Sequence, residues 1–442
     1  MKKIISNLKK KIILKLIPYL VRYKAFNLLS LLFILNLTKM KSILPKKKGK
    51  FKVIILSKSG GMDDIIESQK RYNNNFLYLA CPRIFIKSIF DSVFGNQASN
   101  NSKFFSNQLE KKRDEYKNFL IEFLEVLKKR YDIKAFVGFS FEFKGEIELA
   151  KACDKLRIPF LLLFKESVQT EIEVKYTRHI LKKLEKINSY KIAVYSNYAK
   201  KFFTETNFAD KKNVEVVGCS RLNKSISYKN KIPKNQIIYY AIEYKRGLAD
   251  PFVDYYGDKF FTNLKEHKRY NPKFNWNFLH IGTLKILKKF AIKNPETSII
   301  IKIKTGQSQN NKQYYNLPDN IKLQYYGAGH QLLEKSKVII AWNTTAIIEG
   351  IAANRFILLP YFNLKNNNFS KENELTLNLR KENYGYSEND FYKKLDVFAK
   401  KEYNTNQINN NQYSLSYHLG NADDKASLRL NKFLFKNIKL SK

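Results

Sequence analysis

The chain is poor in cysteine, and this shortage excludes two classes of protein. Its three cysteines, Cys81, Cys153 and Cys219, lie far apart and form neither a CxxC motif nor a Cys/His cluster. A disulfide framework and a structural zinc site are therefore not expected, and the protein is predicted to be cytoplasmic. The N-terminal apolar stretch Phe26 to Leu37 falls well short of the roughly twenty residues that a membrane-spanning helix needs. No small-residue cleavage site follows it, so a signal peptide is not expected either.

Acidic residues are also scarce, with 39 Asp and Glu against 81 Lys and Arg and a formal net charge of +42. Such a surface attracts anionic lipid, nucleotide phosphate or a polyanionic polymer. The chain lacks an RNP-like strand, zinc-finger spacing and a heptad zipper, so nucleic acid is not an expected partner. An anionic membrane surface is an expected partner.

The length of 442 residues exceeds what one hydrophobic core supports, which predicts two domains. Apolar runs rich in β-branched residues alternate with helical patterns, as in doubly wound parallel sheets. The predicted strands lie at 51–56, 76–80, 135–141, 159–164, 192–195 and 214–217, and in a second series at 237–242, 298–303, 321–325, 338–341 and 355–359. An insertion rich in Tyr and Lys at 244–277 interrupts the second series.

This pattern divides the chain into five segments. Residues 1–50 form a basic amphipathic segment that is expected to lie on the inner face of the plasma membrane, although a pair of core helices capping the first domain is the alternative. A Rossmann-like acceptor domain is predicted at 51–222, a linker at 223–236 and a Rossmann-like nucleotide-donor domain at 237–420. Residues 421–442 are predicted to form a helix that packs back toward the first domain.

The loops that follow predicted strands carry the candidate site, because ligands of open α/β sheets bind beyond the carboxyl ends of the strands. After the strand that ends at Ala341, Asn343 or Thr344 can cap a helix. The free N–H groups of that helix, together with Thr345, would bind phosphate oxygens. Glu349 on its first turns would reach a ribose or sugar hydroxyl. The alternative is an ordinary helix cap with a solvated glutamate.

Two further loops of the second series supply a cation and a flexible turn. Lys304 stands at the carboxyl end of the strand 298–303, where it can neutralise a diphosphate leaving group without a metal ion. Gly329 and His330 follow the strand 321–325 in a glycine-containing loop that would fit a nucleotide base. A histidine that only caps a helix is the alternative for His330.

The first series supplies a candidate carboxylate. Glu166 follows Lys165 directly after the strand 159–164, so it would face the cleft from the acceptor side. There it can act as a base on an acceptor hydroxyl. The alternative is a glutamate at a helix N-terminus, favoured by the helix dipole.

The loop after the first strand is similarly placed but carries a weaker signal. Ser57, Gly60 and Gly61 belong to it, but it has neither GxGxxG nor the lysine-serine pair of a P-loop. Asp63 and Asp64 fall at a predicted helix start, and no DxD stands where it would hold a metal-bound diphosphate. Metal-independent chemistry without a cofactor is therefore expected.

Three stretches of the chain resemble one group of proteins. Residues 216–222 (VVGCSRL), with Arg221, are similar to the segment that closes the first domain in bacterial surface-carbohydrate proteins of the GT-B glycosyltransferase type. That group includes capsule and lipopolysaccharide transferases and the teichoic-acid glycerophosphotransferases. Residues 342–349 and 355–360 resemble its second-domain motif, and Lys165 with Glu166 resembles a K-E loop.

The resemblance implies a GT-B-like fold, two Rossmann-like domains facing a cleft. It also implies a donor nucleotide held in the second half. The residues that would hold it are Lys304, Gly329, His330, Asn343, Thr344, Thr345 and Glu349. This chain departs from the group at Asn223, where an aspartate is usual, and at Phe164, where a histidine is familiar.

The expected function is transfer of a sugar from a nucleotide-sugar to a surface-polysaccharide or lipid-linked acceptor. A CDP-glycerol or CDP-ribitol type phosphotransferase is the alternative within the same fold. A nucleotide-sugar epimerase fits less well, because it would not need a basic amphipathic N-terminus. A non-catalytic protein that binds membranes or polyanions on the same fold is the alternative outside enzymology.

Overall fold

The computed structural model describes residues 15–39, 51–57, 61–71, 76–98, 104, 106–141, 145–186, 191–242, 277–304, 312–327, 329–364, 371, 374–404 and 412–439. The predicted insertion 244–277 lies outside these ranges except for its last residue. Residues 1–14, 40–50 and 405–411 also lie outside them.

The first half of the chain forms a seven-stranded sheet. Its strands are β1 (Thr38–Lys39), β2 (Phe51–Leu56), β3 (Phe76–Cys81), β4 (Ile133–Gly138), β5 (Phe160–Phe164), β6 (Lys191–Val194) and β7 (Val214–Val216), in the order β1-β3-β2-β4-β5-β6-β7. All neighbours pair in parallel except β1, which runs antiparallel to β3 at the edge. Its helices are α1 (Phe26–Asn36), α2 (Gly61–Arg71), α3 (Arg83–Phe94), α4 (Glu110–Tyr131), α5 (Glu146–Lys155), α6 (Glu171–Lys183) and α7 (Asn197–Thr204).

The second half forms a six-stranded parallel sheet, reached through a short helix, α8 (Leu222–Ile226), within the expected linker region. Its strands are β8 (Gln236–Tyr240), β9 (Ser298–Lys302), β10 (Ile321–Gln324), β11 (Ser336–Ile340), β12 (Phe356–Pro360) and β13 (Tyr384–Gly385), in the order β10-β9-β8-β11-β12-β13. The helices are α9 (Asn277–Lys293), α10 (Thr345–Ala352), α11 (Glu388–Lys400), α12 (Gln412–Leu419) and α13 (Ala426–Lys439).

Strand β2 shows why the strand sequences are continuous apolar runs rather than alternating apolar and polar residues. Ile54 and Ile55 are both fully buried, but Ile55 belongs to the core shared with α2 and the second half, and Ile54 to the core beneath α3 and α4. A strand covered on both faces has no polar side to present, so its sequence does not alternate. The two doubly wound parallel sheets confirm the GT-B-like α/β class that the sequence predicts.

Helix α13 returns to the first half after the second sheet is complete. Leu430 and Leu434 are fully buried, and the helix packs along α2. Arg429 Nε donates to Val217 O at 3.0 Å, just after β7. Asn223 of α8 donates through Nδ2 to Ser427 Oγ at 3.2 Å. An aspartate cannot donate such a bond, which gives a physical reason for asparagine at this position.

The described part of the N-terminus forms two short helices, at 15–22 and α1. One side of the pair packs on the first half, where the rings of Phe33 and Phe123 lie 5.6 Å apart in an edge-to-face contact. Among the described helices, none is both long enough and apolar enough to cross a membrane.

Candidate functional site

A cleft of about 370 Å³ opens between the two sheets, at the carboxyl ends of β5, β8, β9 and β11. From the first half it is lined by Asp63, Lys165, Glu166 and Arg221, and from the second by Tyr240, Ala241, Lys302, Ile303, Lys304, Gly327, Gly329, His330, Thr344, Thr345, Ala346 and Glu349. Among the described residues, the fold thus brings together every predicted site residue except Ser57, Gly61 and Asn343. It does so because parallel strands end at one edge of each sheet, and the two edges face each other.

The N-terminus of α10 forms part of the second-half wall. Thr344 is its N-cap, and its hydroxyl accepts from the Ala346 backbone N–H at 3.4 Å. Thr345 and Ala346 follow in the first turn, so backbone N–H groups at the positive end of the helix dipole border the cleft. This is the geometry expected for an anion-binding helix start.

Asn343 has a different role from the donor contact predicted for it. Its backbone is left-handed, with φ of 43°, which asparagine tolerates better than most residues. Its side-chain Oδ1 accepts from the Leu375 backbone N–H at 3.1 Å, and it is not among the residues that line the cleft. Asn343 therefore fixes the loop before α10 to the segment near Leu375.

Two lysines stand at the end of β9. Lys304, which the sequence predicts, is exposed at the cleft. Lys302, which it does not, is 8% exposed and donates through Nζ to Ile303 O at 2.9 Å and Tyr325 O at 3.3 Å. Burial lowers the pKa of Lys302. Among the described residues no carboxylate forms an ion pair with it.

The loop at Gly329 and His330 is positioned by Tyr240 at the end of β8. Tyr240 OH donates to Gly329 O at 2.9 Å. A Cβ atom at Gly329 would lie 2.8 Å from Tyr240 Cε1, so the tyrosine ring leaves room only for glycine there. His330 lines the cleft one residue later.

Two first-half carboxylates face this wall from different surroundings. Glu166 forms an ion pair with Lys165, with 2.7 Å between Oε1 and Nζ. Asp63, in the first turn of α2, also lines the cleft, and no partner is found for its carboxylate within the described part of the chain. The sequence places Asp63 at a helix start but does not predict that it faces the cleft.

Arg221 joins the two halves at the floor of the cleft. Its guanidinium NH1 donates to Asp64 Oδ2 and to Tyr195 OH, each at 3.0 Å, and its Nε lies 3.4 Å from Glu349 Oε1 on α10. Tyr195 OH in turn donates to Asp64 Oδ2. Burial raises the pKa of the Tyr195 phenol, which stays protonated and can donate. Glu349 is therefore held by Arg221, rather than standing alone for a ribose.

Two residues predicted in the loop after β2, Ser57 and Gly61, have structural roles. Ser57 N–H donates to Cys81 O at 2.9 Å, extending the pairing of β2 with β3. A Cβ atom at Gly61 would lie 2.1 Å from Phe139 Cδ1, so packing alone requires glycine. Gly60 lies outside the described residues.

Comparisons with known proteins give no sequence relative. No protein-family model and no curated protein sequence matches the chain. Solved structures are similar in architecture at very low identity. A UDP-GlcNAc 2-epimerase from Neisseria meningitidis bound to UDP-GlcNAc is 10% identical with a TM-score of 0.44, covering 87% of this chain and 100% of that one.

Two other structures are similar at the same level. The UDP-GlcNAc 2-epimerase of Methanocaldococcus jannaschii in complex with UDP-GlcNAc and UDP is 12% identical with a TM-score of 0.41, covering 87% of this chain and 99% of that one. The UGT89C1 protein of Arabidopsis thaliana complexed with UDP is 10% identical with a TM-score of 0.43, covering 88% and 100%. No conclusion about reaction or substrate follows from similarity at this level.

Proposed function

We propose that this protein is a glycosyltransferase that moves a sugar from a nucleotide-sugar to a surface-polysaccharide or lipid-linked acceptor at the inner face of the plasma membrane. The observation that carries the proposal is the division of the cleft. Anion-binding groups line its second-half wall, and two carboxylates, Asp63 and Glu166, line the opposite wall. A transferase needs this division, because it holds a diphosphate on one side and deprotonates an acceptor on the other.

The second-half wall fits the diphosphate of the donor. An ammonium group has three N–H donors, and Lys302 gives two of them to backbone carbonyls. The third is free for a phosphate oxygen. Lys304 and the first turn of α10 complete the positive surroundings, and Gly329 and His330 border the space for the base. These fixed charges would stabilise the leaving diphosphate without a metal ion.

The first-half wall fits the acceptor hydroxyl. In the step we propose, the acceptor oxygen forms a bond to the anomeric carbon, and the bond from that carbon to the diphosphate oxygen breaks. The electron pair leaves with the diphosphate, and the hydroxyl proton passes to a carboxylate. Glu166 is engaged in its ion pair with Lys165, whereas no partner is found for the Asp63 carboxylate among the described residues, so we assign the proton to Asp63. Glu166 then positions Lys165 at the cleft.

The donor site is tested by thermal shift against UDP, CDP, GDP, CMP and their sugar conjugates. One nucleotide class is expected to stabilise the protein selectively, and Lys304→Ala combined with Thr344→Ala should weaken its binding about 10- to 100-fold. Lys400→Ala combined with Ser387→Ala is the matched control. It also removes an exposed lysine and a helix N-cap, but on α11, away from the cleft.

The outcomes separate the candidate functions. Equal affinity in the cleft variant and the control would contradict the site assignment. Selective stabilisation by CDP or CMP would favour a glycerophosphate- or ribitolphosphate-type transferase. No shift with any nucleotide would favour a binding protein. Addition of EDTA is expected to leave transfer unchanged, and a loss of transfer would contradict the metal-independent step.

A further inference from the structure

The N-terminal helix pair carries apolar side chains on its outer side as well as its inner side. Six large apolar residues of this pair are between 42% and 73% exposed. We call them the outer face: Leu16, Tyr19, Tyr23, Leu28, Leu31 and Leu35. Soluble proteins expose single apolar residues everywhere, but a contiguous set on one element marks an interaction site.

Helix α1 lacks the polar side that a surface helix normally presents to water. Its sequence, FNLLSLLFILN, has no charged residue, and Leu28, Leu31 and Leu35 recur at helical spacing on the exposed side. A helix that is apolar all round is normally buried in protein or in contact with lipid. Four of the eleven residues of α1 are buried in protein, and the outer face is left without a partner within the described part of the chain.

The inner side packs the pair into the core of the first half. Phe26 packs against Phe119 with 5.0 Å between ring centroids, and Phe33 packs against Phe85 at 5.3 Å. Both partners belong to helices of the first domain, α4 and α3. The outer face therefore has a fixed orientation on the domain, and an occupant would orient the whole protein.

The charge around the outer face selects a negative partner. Lys15, Arg22 and Lys24 are exposed on and after the first helix, and Lys24 pairs with Glu122 at 3.5 Å. The first acidic residue of the chain is Asp63, whereas lysine triplets stand at 9–11 and 46–48 on either side of the pair. Basic segments that flank the pair in the sequence, together with the exposed Lys15 and Arg22, suit a bilayer with anionic headgroups.

We infer that the outer face docks on an anionic lipid bilayer and lies in its interface. The leucines of α1 enter the boundary of the acyl chains, and Tyr19 and Tyr23 lie at headgroup level, where an amphipathic ring is favoured. Docking fits the short length of α1, whose eleven residues are too few to span. The inference rests on the proposed function, which puts the protein at a membrane, and it names the surface that contacts the lipid. Its test does not depend on whether a donor binds.

The test is co-sedimentation of the full-length protein with vesicles of phosphatidylcholine alone or mixed with phosphatidylglycerol. Binding to the mixed vesicles is expected, with weaker binding at high salt. Leu31→Glu combined with Leu35→Glu should reduce it by about tenfold or more, because two carboxylates replace two inserted side chains. The matched control is Ile232→Glu combined with Ile292→Glu, which makes the same charge change at two exposed isoleucines elsewhere.

Each outcome decides the inference. Loss of binding in the leucine variant but not in the control supports it, and an unchanged thermal unfolding midpoint without nucleotide confirms that the variant is folded. Equal sedimentation of variant and control overturns it. Binding that does not depend on phosphatidylglycerol overturns the anionic partner.

A dimer in solution that the leucine variant dissociates, with no vesicle binding, assigns the face to a second copy instead. Vesicle binding without any nucleotide shift would leave the docking surface intact and reject only the proposed transfer.

Discussion

At the scale of single residues, the two carboxylates of the acceptor wall differ in their partners. Asp63 lies in the first turn of α2 and has no partner within the described residues, whereas Glu166 is paired with Lys165. A neighbouring ammonium stabilises the charged form of a carboxylate and makes it a poorer proton acceptor. The base we propose, Asp63, is therefore the carboxylate for which the sequence alone predicts no place in the cleft.

Replacement of each carboxylate by its amide separates these roles. Asp63→Asn is expected to lower kcat by about 10²- to 10⁴-fold, the usual contribution of a general base. Glu166→Gln is expected to cost about tenfold or less, through misplacement of Lys165. Steady-state transfer with the donor found by thermal shift measures both, and donor affinity serves as the control. A larger loss for Glu166→Gln would return the base role to Glu166.

Individual site residues were predictable where the signal is local. Thr344 can be recognised as a cap because a β-branched strand, a polar residue and an apolar helix follow one another in the sequence. Lys302 and Tyr240 have no such signal, since one is a lysine among many and the other ends a strand. The partners of Arg221 are also hidden, because Asp64 and Glu349 come from distant parts of the chain.

At the scale of elements, the buried strands were easier to predict than some helices. Every strand of the two predicted series is present, with ends that differ by up to three residues. Helix α3 is not among the predicted helices, although the spacing of Phe85, Ile86, Ile89 and Phe90 is typical of a helix with one buried face. Strands β1 and β13 have two residues each, too few for any pattern, and depend on pairing with β3 and β12.

Helix α12 carries a histidine that should make folding sensitive to acid. His418 is fully buried, its Nε2 lies 2.9 Å from Thr376 O, and burial lowers its pKa to about 4. Below about pH 6.5 this histidine is protonated in the unfolded chain, whereas in the folded chain it stays neutral down to about pH 4. Stability is therefore lost as the pH falls from about 6.5 to 4, by about 3 kcal/mol for this group.

His418→Gln keeps an N–H donor for Thr376 O and removes the titrating ring. The variant should unfold with nearly the same free energy as the native protein at pH 7 but should lose less stability at pH 4.5, as measured by urea unfolding. His280, whose pKa burial also lowers to about 4, keeps its own acid dependence in both proteins. Glu374 acts in the opposite direction, since burial raises its pKa to about 7. An identical loss of stability in both proteins would contradict the assignment to His418.

At the scale of the whole molecule, the two halves are tied together by side chains at the linker as well as at the cleft. Arg355, fully buried at the start of β12, donates through Nε to Leu333 O and through NH2 to Tyr228 O, in the linker region. Arg221 and Glu349 make the corresponding contact at the cleft. The relative placement of the halves, which sets the cleft, thus depends on contacts that no local pattern encodes.

Helix α13 should stabilise the first half although it follows the second half in the chain. Leu430→Ala combined with Leu434→Ala is expected to cost several kcal/mol, at about 2–5 kcal/mol for each buried leucine. Hydrogen exchange should lose protection in β2 to β7 before β8 to β13, because α13 packs on α2. Lys432→Ala, an exposed change on the same helix, is the control. A loss confined to the second sheet would contradict this assignment.

The return of α13 also sets an order for the making of the protein. The ribosome synthesises every strand of both sheets before residues 426–439. The side of α2 that α13 covers therefore stays without this helix until the end of synthesis. Domains usually fold as they emerge from the ribosome. Here the first domain gains its last helix, α13, only after the second domain has been synthesised. During synthesis, the surface of α2 that α13 covers is therefore exposed for longer than the size of the first domain alone would require.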